Sequence, residues 1–365
     1  MRRIPIFKGL FILLNAIAAV FLAMSQLATF VPPSQFAVFS VLSLIYPILL
    51  VINLSFILFW FVVKSKYWLI SLIVIILGMN NFLDNFQFQL NQNYTEKDND
   101  IKVLTYNVQL FSTDNSGKDS MMLKSKIIDF LTSEQAEIIC LQEYHSMDRN
   151  VYLPLIELST RLNLKTYYYE SYYNPRYDQL SGLVIFSQYE AINKGKLKFP
   201  GSRTFGIYTD LIIEKDTVRL FNIHLASIRL QDKDIGFVLN PDFSDKEEFR
   251  SHSASIYSKL KNAFLLREQQ MNYVLQEIRN CPYSVILSGD FNDTPSSYIY
   301  NQLNDYLTDS FIKKGSGLSR TYAGNIPYLR IDYVFASDNF TVNQYSRELY
   351  YYSDHFPVIT ILFKE

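Results

Sequence analysis

Cysteine is scarce in this 365-residue chain: Cys140 lies in an apolar run and Cys281 directly precedes a proline. Neither sits in a CxxC pattern, which argues against a zinc site or a disulfide framework. The two thiols could still pair if they met in space, so cysteine usage leaves the compartment open. Net charge is lacking too, with 34 Lys and Arg against 35 Asp and Glu. The first 90 residues hold five basic residues (Arg2, Arg3, Lys8, Lys64, Lys66) and a single acid, Asp84. The remainder carries 29 basic and 34 acidic residues. A protein that grips nucleic acid through its phosphates usually needs a basic surface. This remainder has no net one, although a local basic groove stays open. Internal repeats and long low-complexity segments are also missing. The tyrosine cluster Tyr167, Tyr168, Tyr169, Tyr172 and Tyr173 is the nearest approach to bias.

What the N-terminal third has instead is apolar length. Residues 9–31 are apolar apart from Asn15, Ser25, Gln26 and Thr29, and Pro32 and Pro33 end the run. A second uncharged run covers 36–63, and a third covers 67–83 if it continues through Asn80 and Asn81. A bilayer-spanning helix needs about 20 mostly apolar residues. Residues 1–90 are therefore expected to be a transmembrane module with spans near 9–31, 36–63 and 67–83. A cleaved signal peptide fits less well, because the first run is long and lacks a small-residue cleavage site. A buried hairpin in a soluble domain fits poorly with long uncharged stretches in close succession. Arg2, Arg3 and Lys8 precede the first span, and Lys64 and Lys66 separate the second from the third. The positive-inside rule puts both basic segments in the cytoplasm. With three spans, everything after residue 83 lies outside it; if the third stretch only rests in the interface, the domain that follows is cytoplasmic.

Residues 91–100 are polar and read as a linker. From 101 to 365 the pattern alternates strands and helices. Strands are expected at 101–108, 137–143, 183–187, 207–213, 218–224, 284–290, 331–336 and 357–363, with helices at 120–133 and 259–279. Mixed strands with few long helices suggest an α/β sandwich rather than a simple doubly wound sheet. Several apolar runs end in a residue able to hold metal or move a proton: Asn107, Glu143, His224 and Asp290. Buried charge is costly unless paired or metal-bound, so these strand ends are candidates to converge on one mouth.

Taken singly, each segment has a plainer reading. Asp290 and Asn292 in SGDFND could face a phosphate and its attacking water, or form an Asx-type turn. Asp354 and His355 are adjacent, and neighbouring side chains on an extended chain point opposite ways. A separate carboxylate should then orient the His355 ring, with Asp332 the candidate; the alternative is a surface loop with a cap. His224 alone is more often structural. Glu143 alone is a partly exposed salt-bridge partner. His145 and His252 lie in polar surroundings and read as surface residues.

As a set, the segments resemble the endonuclease/exonuclease/phosphatase superfamily, which shares the fold of pancreatic deoxyribonuclease. The matching segments are TYNVQLF (105–111), LQEYH (141–145), GLVIFSQYEA (182–191), FNIHLAS (221–227), LSGDFNDTP (287–295), RIDYVFAS (330–337) and SDHFPV (353–358), in the family's order. The N-terminal 90 residues lie outside it, as in a membrane-anchored bacterial-type member. The resemblance implies a four-layer α/β sandwich: two packed β-sheets flanked by helices. It implies metal binding by Glu143, with Asn107 on metal or phosphate and Asp354 contributing. It also implies that Asp290 and Asn292 orient water and hold phosphate, that Asp332 and His355 form a dyad, and that His224 contacts the scissile phosphate or assists the leaving group. Hydrolysing an anionic ester calls for a hard cation with oxygen ligands, Mg²⁺ or alternatively Mn²⁺, and for a positioned base. Asp290 and His355 are both open as that base.

The resemblance leaves the phosphoester undefined, since fold does not fix substrate. Histidine at 224 favours lipid and nucleic-acid phosphodiesterases within the superfamily. Tethering beside a bilayer and an acidic soluble domain point to a lipid head group or a small phosphoester. The alternatives are a nuclease acting on DNA or RNA and a non-catalytic membrane scaffold. The complete motifs argue against the scaffold.

Overall fold

The computed structural model describes residues 6–89, 94–95, 97–111, 120–145, 155–174, 179–228, 230, 232–324 and 326–365. Five helices come first: α1 Ile6–Leu27, α2 Pro33–Ser43, α3 Tyr46–Val62, α4 Trp68–Leu77 and α5 Met79–Asn85. Then follow β1 Gln87–Phe88, β2 Asp100–Asn107, α6 Ser120–Glu134, β3 Ile138–His145, α7 Leu155–Arg161, β4 Thr166–Asn174, β5 Gln179–Ser187, β6 Glu190–Lys198, β7 Phe205–Ile213 and β8 Asp216–His224. The chain continues with α8 Asp232–Leu239, α9 Lys246–Arg279, β9 Ser284–Asp290, α10 Tyr298–Leu303, β10 Thr308–Asp309, α11 Ser310–Lys314, β11 Ser316–Gly317, β12 Asp332–Ala336, β13 Phe340–Arg347 and β14 Val358–Lys364.

These elements form two compact units. One comprises Met1–Asn85, Ser227–Glu268 and Asp293–Gln302; the other comprises Phe86–Ala226, Gln269–Asn292 and Leu303–Glu365. In the first, α1 is long and apolar enough to cross a membrane. The second and third apolar runs differ from single straight spans. α2 and α3 meet at a 58° bend, and α4 and α5 at 73°; if each bent pair counts as one span there are three. The first bend falls where Pro47 opens α3, since proline suits a first helical turn and not an interior. The second falls at Gly78, against which the Gln26 side chain packs so closely that a Cβ would lie 2.1 Å from its Nε2. The polarity of this unit is inverted. Leu13, Val20, Leu58, Phe61, Ile73 and Leu77 face outward, while Asn15, Asn53 and Ser71 are buried. The buried groups bond one another: Asn15 Nδ2 donates to Ser71 Oγ (2.6 Å), Ser71 Oγ to Asn53 Oδ1 (2.8 Å), and Trp60 Nε1 to Asn15 Oδ1 (2.8 Å).

The second unit is built on two six-stranded mixed sheets. One runs β13-β14-β2-β3-β5-β4, the other β10-β12-β9-β8-β7-β6. Alternate residues of both, such as Val103, Cys140 and Ile185 from one and Ile207, Leu220 and Val334 from the other, form the core between the sheets. On the outer face of the first sheet, Leu104, Ile139 and Leu141 pack with Ile127 and Leu131 of α6 and Leu158 of α7. Against the second, the C-terminal part of α9 sets Tyr273 on Phe199 and Gln270 on the Ala226 N–H. This is a four-layer α/β sandwich. α9 begins 13 residues earlier than periodicity predicted, in a polar stretch where the apolar repeat fades. The tyrosine-rich segment 167–173 is strand β4 at a sheet edge, which the aromatic content suits.

Candidate active site

Three neighbouring strands bring polar residues to one level. In the parallel pair β8–β9 His224 faces Asp290, and in the antiparallel pair β9–β12 Asp332 faces Asp290. Residues in register share a sheet face, so Asp290 is flanked by His224 and Asp332. Gly289 makes this approach possible. Its φ is +138°, and a Cβ there would lie 2.0 Å from the Ile223 carbonyl oxygen.

The other sheet contributes through a distortion. The β3–β5 register shifts between Leu141 and Tyr144, and Glu143 sits in that bulge with φ +51°. A bulge re-aims a side chain that regular pleating would send elsewhere, and a left-handed non-glycine residue signals a local constraint. Glu143 Oε1 thereby lies 3.7 Å from His224 Nε2. Asn107, at the end of β2, donates Nδ2 to Asp290 Oδ2 at 2.9 Å, while its Oδ1 accepts the Gln109 N–H.

His355 completes the cluster. Its Nδ1 is 2.9 Å from Asp332 Oδ2, its Nε2 is 3.7 Å from Asp290 Oδ2, and Asp354 Oδ1 is 4.0 Å from Nε2. The carboxylate orienting His355 is thus Asp332, not its sequence neighbour. Asn292 reaches the site through its backbone, its N–H donating to Asp290 Oδ1 at 2.8 Å, while its side chain bonds the Leu225 carbonyl. All eight residues singled out from sequence therefore belong to one linked cluster.

Burial and charge compete there. Burial alone pushes the His355 imidazole down, but the Asp332 and Asp290 carboxylates hold it well above 6.5. Burial raises the Asp332 carboxyl, against the opposing pull of His355. Burial also raises Glu143, offset in part by His224, and raises Asp354, offset by His355. The side chains of these last two remain 28% and 36% exposed, at the mouth of the site, so water screens them more than it does Asp332.

Some supporting groups were not singled out from sequence. Gln142 Nε2 donates to Thr105 Oγ1 and to Asn222 Oδ1, and Asn222 Nδ2 donates to the Leu141 and Val184 carbonyls. These amides tie β8 to β3 and β5 just beneath Glu143 and His224. Ser353 Oγ donates to the Asn107 carbonyl and accepts the His355 N–H. Thr321 Oγ1 accepts the Ile331 and Asp332 N–H groups. The signal for Asn222 was there to read: an amide inside the apolar run LFNIHL, where a polar group needs a partner. Thr321 offered none. Of the remaining histidines, His145 Nδ1 is 3.0 Å from the Leu180 carbonyl and His252 stacks on Phe237.

The donor set fits a divalent cation. Four carboxyls (Glu143, Asp290, Asp332, Asp354) face two imidazoles, and with all four ionised the cluster is negative even if both rings are protonated. Its ligand atoms are mainly oxygens, which suit a hard cation. Asp290, Asp332 and His355 each bring one ligand atom within 4.8 Å of the other two.

Residues 104–355 match the family described as the Endonuclease/Exonuclease/phosphatase family. The chain belongs to this family. Its members are generally metal-dependent hydrolases of phosphoesters. Residues 8–85 match a second family, described as a domain of unknown function. Similar solved structures include an endonuclease/exonuclease/phosphatase from Beutenbergia cavernae, 17% identical, with a TM-score of 0.53 over 73% of this chain and 72% of that one. The human Nocturnin catalytic domain with bound sulfate anion is 16% identical, with a TM-score of 0.53 over 74% and 97%. An endonuclease/exonuclease/phosphatase from Bacteroides vulgatus is 15% identical, with a TM-score of 0.51 over 73% and 99%. At these identities the likeness shows the fold alone. No curated protein matches the chain.

Proposed function

We propose that this family member is a membrane-anchored, divalent-metal-dependent phosphodiesterase acting on a lipid head group or small phosphoester, with its catalytic domain outside the cytoplasm. The observation that carries the catalytic half is the clustering of four carboxylates and two imidazoles, drawn from both sheets, around Asp290. Glu143 and Asn107, with Asp354 at the rim, would hold Mg²⁺ or Mn²⁺, which when bound neutralises phosphate charge and polarises the ester. Asp290 would orient the attacking water, with Asn292 holding Asp290 through its backbone N–H. Asp332 holds Nδ1 of His355, which leaves Nε2 directed at the reacting centre. The Asp332 and Asp290 carboxylates favour a protonated His355 ring in the metal-free site; in this reading Asp290 takes the proton from water and His355 serves as a cation against the phosphate. His224, between Glu143 and Asp290, stands where a leaving oxygen needs a proton.

The membrane half rests on the inverted polarity of the helical unit. Lipid-facing positions must be apolar, and polar side chains in a bilayer turn inward and bond one another. Orientation has support beyond the count of basic residues. Lys8 Nζ lies 5.5 Å from the centre of the Tyr67 ring, so the start of α1 and the Lys64–Lys66 turn share one end. At the opposite end Ser34 donates its N–H and Oγ–H to Glu268, and Asn85 Nδ2 and Ser296 Oγ join Asn81 in a buried cluster. Glu268 and Ser296 belong to the same compact unit as these helices. With the basic end in the cytoplasm and three spans, the chain after residue 83 would lie on the other side.

The test is Mg²⁺-dependent turnover by the full chain in lipid nanodiscs, compared on phospholipid vesicles, plasmid DNA and a generic phosphodiester. Release of a head group is expected. Cleavage of DNA alone, at a salt-sensitive rate, would establish a nuclease instead. A reporter fused after residue 89 tests orientation, and cytoplasmic reporter activity would defeat the outward assignment.

A further inference from the structure

The edge strands β4 and β6 close the two sheets on the same side of the sandwich but do not pair with each other. Between them lies a cavity of about 320 Å³ whose lining includes Lys165, Tyr168, Ile185, Ala191, Lys194 and Thr209. It is far from the cluster around Asp290. Thr209 pairs with Leu220, four residues before His224 on β8, which places it about 13 Å down the strand at a rise of about 3.3 Å per residue.

Thr209 is out of character for its position. Phe205, Ile207, Leu211 and Ile213 all point into the apolar layer between the sheets, and a period of two puts Thr209 on that same face. It is 2% exposed, and its hydroxyl has no hydrogen-bond partner. A buried hydroxyl without a partner is destabilising, and valine would fill the same space without that cost. The rim adds charge. Lys194 Nζ lies 5.2 Å from the centre of the Tyr168 ring. The neighbouring carboxylates are already engaged: Asp210 by Arg219 and Asn193, and Glu170 by Lys196. Among the described residues, neither Lys165 nor Lys194 has a carboxylate within ion-pair distance. The β6–β7 register also shifts between Ala191 and Asn193, at the mouth of the cavity; bulges recur where an edge is shaped for a purpose.

We infer that this cleft is a second ligand site, separate from the phosphoester centre, for a small organic anion with an apolar body. The acid group lies between Lys165 and Lys194. The body rests on Tyr168, Ile185 and Ala191, and a polar atom of the ligand meets the Thr209 hydroxyl.

The experiment uses the full chain in nanodiscs and follows binding of benzoate, hexanoate, phenylphosphonate and inorganic phosphate by ligand-observed NMR and calorimetry. At least one of the three organic anions should bind saturably and more tightly than phosphate. Its affinity should fall about tenfold or more in Lys194→Ala and in Thr209→Val, and stay unchanged in Glu143→Gln. Saturable binding by none of them overturns the inference. So does loss of binding in Glu143→Gln, which assigns the probe to the catalytic cluster. Phosphate binding as tightly as the organic anions removes the role of the apolar body and overturns the site as described. If Thr209→Val raises the melting temperature and binding persists, the hydroxyl holds only a water, and the inference also falls.

Discussion

The helical unit and the sandwich solve the same problem with opposite polarity. In the helices, asparagines and a serine are sequestered in the middle and leucines and phenylalanines face outward. In the sandwich, the layer between the sheets is apolar, and polar side chains gather at one end, where Asp290 meets its neighbours. The difference is the one that the proposed membrane placement of the helices would require. In lipid, apolar surface gains nothing by burial, so packing and hydrogen bonds hold helices together. In water, apolar burial is the main driving force, and a polar cluster inside is tolerated only where its members satisfy one another or hold an ion.

That contrast can be broken experimentally, and the active-site cluster should give the largest effect. Glu143→Gln and His355→Ala are each expected to reduce turnover by about 10³-fold or more in a chain that still folds. Near-normal turnover by a folded variant removes that residue from the site. Gly289→Ala should act on the fold instead. Its new Cβ has no room beside the Ile223 carbonyl, and a loss of about 4 kcal/mol is expected in denaturant unfolding. A variant as stable as wild type would mean that β8 and β9 can move apart freely.

Leu13→Lys tests the outer face of α1, where Leu13 is 57% exposed. In lipid the substitution should cost about 3 kcal/mol of insertion free energy, read as the fraction of protein recovered in membranes. Unimpaired recovery would show that this face meets water.

The smallest expected effect is a pH dependence. Glu143, Asp332, Asp354 and His355 all have raised values in the folded, metal-free protein. The folded state then binds more protons than the unfolded one, so these groups lend stability at low pH that is lost as pH rises. The window opens near ordinary carboxylate values, about 4, and extends past the ordinary histidine value of about 6.5. Melting wild type and Glu143→Gln in parallel isolates the Glu143 share. The difference should grow with pH in chelator and shrink on adding Mg²⁺. A difference that is flat in chelator contradicts the raised Glu143 value.

Much of the fold was readable because periodicity and motif order are local. The apolar runs at 101–108, 207–213 and 284–290 became β2, β7 and β9 within two residues. β4, β6 and β13 were less visible, since half-exposed edge strands, β4 rich in tyrosine and β6 in lysine, carry weak alternation. The bends between α2 and α3 and between α4 and α5 were hidden inside unbroken apolar runs, because hydropathy measures composition and not direction.

Residue identity alone determined that long uncharged apolar runs precede an α/β domain, and which eight residues are candidates for a site. It did so because solvent preference and side-chain chemistry are properties of single residues and short runs. Tertiary structure decided which partners those side chains take: Asp332 for His355, Asn107 for Asp290, and the bulge that turns Glu143 toward His224. It also decided that Thr209 faces a cavity without a partner. Those outcomes depend on the register between strands and on the gap between sheets, and both are set by atoms far apart in the chain.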